Sequence, residues 1–223
     1  MKKKLLISAV TKYFVGLISV ALLLFVPAGS LYYSNGWLFL ALLFVPMFFL
    51  GIVLFVKAPD LLAKRLHTKE KEAAQKKVVG FSALQFLLSF LLASLDFRFG
   101  WSYLPTALVI GASIVLLLSY GMYAEVMREN AYLSRTVEVQ EGQKLIDTGL
   151  YSIVRHPMYT STVLLFLSIP LVLGSLPAFL VMPPYPLLLV QRIKNEETVL
   201  EAGLAGYKEY KQKVKYRLLP FVW

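Results

Sequence analysis

The chain has 223 residues, of which 58% are hydrophobic and only 16% are charged, and its formal net charge is +10. A soluble domain is usually closer to half apolar and a quarter charged, so this composition argues against one. The apolar residues fall in blocks of roughly 18–22 residues, about the length of helix that crosses a ~30 Å hydrocarbon core. The composition therefore predicts an all-α protein that crosses a membrane several times.

The first half of the chain contains four hydrophobic segments, each long enough to predict a membrane-spanning helix. Three lysines precede the first segment, but no small-residue cleavage site follows it, which predicts an uncleaved span rather than a signal peptide. A charged stretch at residues 57–77 separates the second span from the third. The predicted spans are residues 13–28, 36–56, 78–95 and 104–123.

The second half begins with a polar segment at residues 125–156, followed by apolar stretches at residues 159–173 and 176–190. Prolines crowd these two stretches, and because proline breaks or kinks a helix they predict a broken helical hairpin rather than two straight rods. The sequence thus predicts about six membrane-embedded helical segments in one domain, with four spans in residues 1–123 and the hairpin in residues 124–223.

The basic residues are distributed unevenly between the two sides that these spans define. Of the 23 lysines and arginines, all except Arg98 fall on the side that carries both termini. Basic loops remain in the cytoplasm, so the pattern predicts that both termini are cytoplasmic. A charge of +10 would favour nucleic acid in a soluble protein, but here it predicts contact with anionic membrane lipids and no nucleic-acid partner.

Few residues could carry catalytic or metal chemistry. With two histidines and no cysteine, the sequence argues against a zinc or iron site built by the protein. His67 lies among lysines and is expected to be a solvated loop residue. By contrast, Arg155, His156 and Tyr159 lie at the cytoplasmic entrance of a hydrophobic stretch. They either face a ligand or mark an ordinary boundary, with Arg155 on lipid phosphate and Tyr159 in the interfacial aromatic belt.

Arg192 and Glu196 follow the last apolar stretch directly and lie four residues apart, on one face of a helix. One interpretation is an exposed ion pair that stabilises the helix by only a few tenths of a kcal/mol. The other is a pair of site residues, because charges that emerge from a membrane helix are costly and usually face a cavity.

The polar tail carries one apolar stripe with helical spacing. This spacing predicts a C-terminal amphipathic helix, with most of the tail's lysines off the apolar face. Such a helix either lies on the membrane or covers a site formed by the two preceding segments. The stripe consists of Ile193, Leu200, Leu204, Tyr207 and Val214.

Several short motifs occur in a fixed order through the second half. They are Arg155-His156-Pro157-Met158-Tyr159, Arg192 with Glu196-Glu197, Tyr207 with Tyr210, and Arg217-Leu218-Leu219-Pro220. This order resembles the isoprenylcysteine carboxyl methyltransferase family and its bacterial relatives, whose pattern is R-H-P-x-Y, a hydrophobic hairpin, R with E-E, Y-x-x-Y and R-x-x-P. The resemblance covers roughly residues 130–223. One departure is Ser161, where the family often has glycine, and its side chain is expected to narrow a ligand-facing wall.

The resemblance implies a methyltransferase of a bacterial inner membrane that uses S-adenosyl-L-methionine and has no Rossmann domain. It implies that the cofactor is bound between the R-H-P-x-Y segment, the hairpin and the E-E helix, and that a lipophilic or lipidated acceptor enters from the bilayer. Arg192 and Glu196 would then lie near the reacting centre. The cofactor would be held by Tyr151, Arg155, His156, Tyr159 and Glu197.

The acceptor that the family name implies is a prenylcysteine-like carboxylate. Relatives with the same half-sequence include phospholipid N-methyltransferases and small-thiol S-methyltransferases, so these acceptors stay open. Two further classes stay open as well: an NADPH-dependent membrane reductase that shares this type of C-terminal fold, and a membrane scaffold or transporter without catalytic activity. A transporter usually has inverted repeats, and the sequence contains none that is evident.

Overall fold

The computed structural model describes residues 2–66, 73–133 and 137–223. These residues form nine α-helices and a 3₁₀ turn without any strand, which confirms the all-α prediction. His67 lies outside the described residues. The helices are α1 (Lys2–Ala28), α2 (Ser34–Lys57), α3 (Pro59–Leu66), α4 (Ala73–Phe99), α5 (Thr106–Glu129), α6 (Pro157–Val172), α7 (Leu176–Leu180), α8 (Pro184–Gly203) and α9 (Tyr207–Lys213), with the 3₁₀ turn at Gly149–Ser152.

Within the described residues, five helical segments are long and apolar enough to cross a membrane. They are α1, α2, α4 from Lys77, α5, and the stretch Leu176–Gly203, while α6 is a shorter apolar helix. The prediction of a multi-span helical membrane protein is therefore confirmed. Most of these helices extend beyond their apolar blocks, since lysine and glutamate are good helix formers and hydropathy alone does not mark where a helix ends.

The predicted proline-rich hairpin is formed by α6, α7 and α8, and its second arm is broken. Gly174 has a φ of +78° between α6 and α7, and Pro184 begins α8. Gln85 of α4 donates hydrogen bonds from Nε2 to the carbonyl oxygens of Val181 (2.7 Å) and Met182 (3.1 Å). Protein therefore covers the interrupted backbone, as an apolar membrane interior requires.

Helices α5 and α6 make the most extensive contact in the bundle. Small residues lie on the buried face of each, including Ala112 and Ser119 of α5 and Ser161 and Ser168 of α6. Small side chains allow membrane helices to approach closely. This contact carries the start of α6, with the R-H-P-x-Y motif, to the same end of the bundle as the carboxyl end of α5.

The prediction of one amphipathic helix from Ile193 to Val214 is wrong. Helix α8 ends at Gly203, and Gly206, with a φ of +80°, precedes the short helix α9. Ile193 packs in a cluster with Tyr185, whereas Leu204, Tyr207, Tyr210 and Val214 form a separate cluster. The periodic stripe is buried as predicted, but two glycines divide it between two helices that pack on different surroundings. Helix α9 is itself amphipathic, with its two tyrosines buried and Lys208 exposed.

Candidate active site

The start of α6 is held in place by the polypeptide tail. The backbone N–H groups of Arg155 and His156 donate to the carbonyl oxygens of Tyr216 and Arg217, each at 2.9 Å. Pro157 occupies the first turn of α6, where the missing N–H costs no helical hydrogen bond. The R-H-P-x-Y motif and the closing R-x-x-P segment are therefore neighbours, although about sixty residues separate them in sequence.

Glu197 lies at the centre of a buried network of cations. Its side chain is almost fully buried, and Oε1 accepts a hydrogen bond from Arg155 Nε at 2.7 Å. His156 Nε2 lies 3.3 Å from the same oxygen, while Oε2 accepts from Arg217 Nε at 3.0 Å. Lys211 Nζ lies 3.9 Å from Oε2. The negative charge of Glu197 is thus compensated by groups from α6 and the tail.

Arg155 joins three parts of the site. Besides Glu197, its guanidinium donates from one terminal nitrogen to the carbonyl oxygens of Val214 (2.7 Å) and Lys215 (2.9 Å). Only 5% of the residue is exposed. This burial rules out the interpretation in which Arg155 meets lipid phosphate, and it makes the guanidinium a link between α6, α8 and the tail.

A second network lies on the neighbouring face of α8. The Tyr159 hydroxyl donates to Glu196 Oε2 at 2.6 Å and accepts from Arg192 Nε at 2.9 Å. The Arg192 guanidinium also lies over the Tyr159 ring, 6.0 Å from its centroid. Arg192 and Glu196 are therefore not an isolated surface pair, because a buried tyrosine from α6 joins them.

The two networks border a cavity of about 810 Å³, which includes the part that opens to solvent. Five predicted site residues line this cavity, whereas Arg192 and Glu197 are not among its lining residues. The five are Tyr151, Arg155, His156, Tyr159 and Glu196. The cofactor contact predicted for Glu197 stays a prediction, and its position favours a supporting role.

Much of the cavity wall comes from residues that the sequence did not single out. The segment after α5 contributes Asn130, whose side-chain amide donates to the Tyr151 hydroxyl at 2.9 Å. It also contributes Lys144 and Leu145, which lie in irregular backbone without a periodic pattern to predict them. From the tail come Tyr207 and Tyr210, and two sequence signals, the Y-x-x-Y motif and the apolar stripe, indicated this part of the wall.

Ser161 does not narrow the cavity. It is fully buried, and its hydroxyl donates to the Met158 carbonyl oxygen of its own helix at 2.7 Å. It is not among the residues that line the cavity. The expected narrowing of a ligand-facing wall is therefore wrong, because this position faces the protein interior.

The phenols beside the cavity are held in their neutral form. Burial raises the pKa of Tyr151 to about 12, although the hydrogen bond from Asn130 lowers it in part. Burial likewise raises the pKa of Tyr210, whose hydroxyl donates to the Tyr151 carbonyl oxygen at 2.7 Å. These hydroxyl groups act as hydrogen-bond donors at physiological pH and not as proton acceptors.

Known proteins match parts of the chain. The model of the isoprenylcysteine carboxyl methyltransferase (ICMT) family matches residues 109–202, which include Arg155–Tyr159 and Arg192–Glu197. A Delta(14)-sterol reductase of Mus musculus is 30% identical over 91 residues. That alignment covers 40% of this chain and 22% of the reductase, so the chain matches about a fifth of the reductase's length.

Proposed function

We propose, on the premise that residues 109–202 belong to the isoprenylcysteine carboxyl methyltransferase family, that the protein is an S-adenosylmethionine-dependent membrane methyltransferase. The acceptor is lipophilic and reacts at the cytoplasmic face, and a prenylcysteine-like carboxylate suits the site best. The observation that carries the proposal is the Arg192–Tyr159–Glu196 network, two of whose members line a cavity together with Arg155 and His156.

The charges of the cavity wall suit a sulfonium compound. Glu196 places a half-buried carboxylate on the wall, and a negative charge stabilises a nearby cation most strongly where water is excluded. His156 and Tyr151 provide further polar groups on the same wall. When bound, S-adenosylmethionine supplies a methyl group on a positively charged sulfur. Glu196 would stabilise that charge, and Arg155 with Glu197 would fix the wall from behind.

The surroundings of Tyr159 suit a lipophilic acceptor. This residue belongs to an apolar cluster that continues into the membrane-spanning part of the bundle through Tyr185 and Leu189. Aromatic rings of Phe86 and Phe166 extend the cluster, with Phe166 and Tyr185 centroids 5.1 Å apart. An acceptor with an isoprenoid or acyl chain could thus present its polar end to Arg192 and Tyr159 from the bilayer side.

The residues of the Arg192–Tyr159–Glu196 network also indicate which acceptor needs the least activation by the protein. A carboxylate is already a nucleophile and needs only to be positioned, which the planar guanidinium of Arg192 does well. Methyl transfer then forms an O–CH₃ bond as the S–CH₃ bond breaks, leaving an ester and S-adenosylhomocysteine. An amine or thiol acceptor would have to lose a proton, for which Glu196 is a carboxylate on the cavity wall.

The sterol reductase match makes an NADPH-dependent reductase the second candidate. A nicotinamide dinucleotide phosphate carries several negative charges and calls for an excess of cations. Among the described residues, the lysine, arginine and glutamate side chains that line the wall are Lys144, Arg155, Glu138 and Glu196, two of each sign. Arg155 is moreover occupied by Glu197. The charge balance therefore favours S-adenosylmethionine over NADPH.

Titration calorimetry of the detergent-solubilised protein with S-adenosylhomocysteine and with NADPH distinguishes the two candidates. We expect binding of S-adenosylhomocysteine and no saturable binding of NADPH. The reverse result would replace the methyltransferase with the reductase. Transfer of a labelled methyl group to a farnesylcysteine derivative, to phosphatidylethanolamine vesicles or to a small thiol then identifies the acceptor, with Glu196→Gln as the inactive control.

We also propose that both termini and the cavity face the cytoplasm, in line with the distribution of basic residues. Contacts at this end support that arrangement, since Lys64 of α3 donates to the Ala131 carbonyl oxygen beyond α5 at 3.4 Å. The orientation is tested by placing a tag on each terminus of the protein and measuring protease access to it in inside-out and in right-side-out vesicles. A tag cleaved only from the outside of right-side-out vesicles would contradict it.

A further inference from the structure

Tyr207, the first residue of α9, has a buried hydroxyl group without a partner. Only 3% of the residue is exposed, and its hydroxyl oxygen makes no hydrogen bond to any residue that the structure describes. Buried polar groups are nearly always paired, because leaving one unpaired loses the hydrogen bonds that water would make. Tyr207 also lines the cavity. The missing partner is therefore expected to be a molecule bound in the cavity.

The neighbours of Tyr207 indicate what part of a ligand would lie there. Leu145, Leu200 and Leu204 line the same cavity and belong to the same apolar cluster. The wall around Tyr207 is therefore mainly apolar. It suits a flat heteroaromatic ring, whose faces are apolar and whose edge carries hydrogen-bond acceptors. The opposite chemistry, a carboxylate next to a tyrosine, occurs at Glu196 and suits the charged end of a ligand.

The hydroxyl of Tyr207 is a donor in this setting. Burial raises the pKa of its phenol well above the ordinary value, and the nearby charge of Glu197 raises it further. The proton therefore stays on the oxygen at physiological pH. A group that can accept this proton in a hydrogen bond is the partner the site requires, and the unprotonated ring nitrogens of adenine are such acceptors.

We infer that Tyr207 is a cofactor-binding residue whose hydroxyl donates a hydrogen bond to a ring nitrogen of the adenine of S-adenosylmethionine. The inference rests on the proposed function. It adds the tail to the cofactor site.

Tyr210 offers a matched control one helical turn away. It is buried to the same extent, with 4% exposed, and its ring lies 5.8 Å from that of Tyr207. Its hydroxyl, however, is satisfied within the protein by the Tyr151 carbonyl oxygen at 2.7 Å. Replacing either tyrosine by phenylalanine removes one oxygen atom from the same cluster, but only one of the two changes removes an internal hydrogen bond.

The experiment compares Tyr207→Phe, Tyr210→Phe and the unchanged protein by melting temperature and by S-adenosylhomocysteine titration. For Tyr207→Phe we expect an equal or higher melting temperature without ligand and an affinity about 3- to 10-fold weaker, the usual effect of losing one hydrogen bond. For Tyr210→Phe we expect the opposite effect on stability, a lower melting temperature without ligand, because an internal hydrogen bond is lost.

The second arm uses analogues of S-adenosylhomocysteine in which one adenine ring nitrogen is replaced by CH. The analogue that lacks the accepting nitrogen should bind the unchanged protein about 3- to 10-fold more weakly than S-adenosylhomocysteine does. To Tyr207→Phe, that analogue and S-adenosylhomocysteine should bind equally well. Full affinity of Tyr207→Phe for S-adenosylhomocysteine would overturn the inference and leave the proposed function intact. Failure of the unchanged protein to bind S-adenosylhomocysteine at all would overturn both.

Discussion

Glu196 and Glu197 are neighbours in sequence, yet the two faces of α8 that they occupy are different environments. Glu197 points into protein, where Arg155, Arg217 and His156 surround its carboxylate. Glu196 is half-buried on the wall of the cavity, where its carboxylate accepts a hydrogen bond from the Tyr159 hydroxyl. A carboxylate surrounded by internal cations holds a structure together, while one that borders a cavity retains capacity to act on a ligand.

The difference shows that the two glutamates of one motif can have different roles, one in the structure and one at the cavity. Successive residues of a helix point about 100° apart, so two adjacent glutamates cannot serve the same site equally. Here α8 presents one of them to the tail and the other to the cavity. Stability measurements and activity measurements should therefore separate the two residues.

The largest effect should come from Glu197→Gln, which leaves buried Arg155 without its anion. Breaking a buried ion pair by removing one partner typically costs about 3–5 kcal/mol, and both side chains are almost fully buried. Unfolding in detergent, followed by heat or denaturant, measures the loss. Glu201→Gln is the matched control on the same helix, since its pair with Lys211 is about one-third exposed and should contribute about 0–1 kcal/mol. Equal losses in both variants would abolish the contrast.

Glu196→Gln should affect the reaction and leave stability nearly unchanged. We expect a rate of methyl transfer at saturating cofactor reduced roughly 100-fold, within the range for one positioned charged group. The amide keeps the shape of the side chain and can still accept from Tyr159, so only the charge is lost. A rate close to that of the unchanged protein would make Glu196 a second structural glutamate.

Arg192→Lys should have a smaller effect on the same rate, of about 10-fold. Lysine keeps the positive charge but loses the planar two-pronged donor that could hold a carboxylate. Because Tyr159 joins Arg192 to Glu196, the double variant with Glu196→Gln should fall short of the product of the two effects, with a coupling of at least ~0.5 kcal/mol. Multiplicative effects would show that the two residues act independently.

The smallest effect should come from Tyr159→Phe, which removes only the oxygen between Arg192 and Glu196. We expect weaker S-adenosylhomocysteine binding by about 0.5–1.5 kcal/mol in a protein that remains folded. His156→Ala should also weaken binding, since the imidazole lies on the cavity wall and stacks with Tyr159 at a centroid distance of 5.7 Å. Calorimetry that gives the original affinity in both variants would remove this segment from the cofactor site.

The sequence predicted the helical spans and the broken hairpin because both follow from local properties, hydropathy over a known length and proline. It did not predict the division between Ile193 and Leu204, since one apolar period is compatible with a single helix or with two helices that both bury it. The chain forms two helices because it breaks at Gly203 and Gly206. A single glycine in a sequence predicts such a break only weakly.

The site was predicted in part for a related reason. Helical spacing correctly placed Arg192 and Glu196 on one face, and the motif order brought them together with Arg155–Tyr159. Spacing could not reveal that Tyr159 joins the pair, because that contact depends on how α6 lies against α8. The wall at Lys144 and Leu145 has irregular backbone, which has no period to read.

The hydrogen bonds from the N–H groups of Arg155 and His156 to the carbonyl oxygens of Tyr216 and Arg217 have a consequence for how mutations would be tolerated. Every amino acid has a carbonyl group, so these bonds place no demand on the identity of the side chain at residue 216. A saturation scan should therefore find position 216 permissive. Deleting the segment should nevertheless abolish the site, because two buried N–H groups would lose their acceptors. An essential part of this protein would thus be recorded as variable by any method that scores residues one substitution at a time.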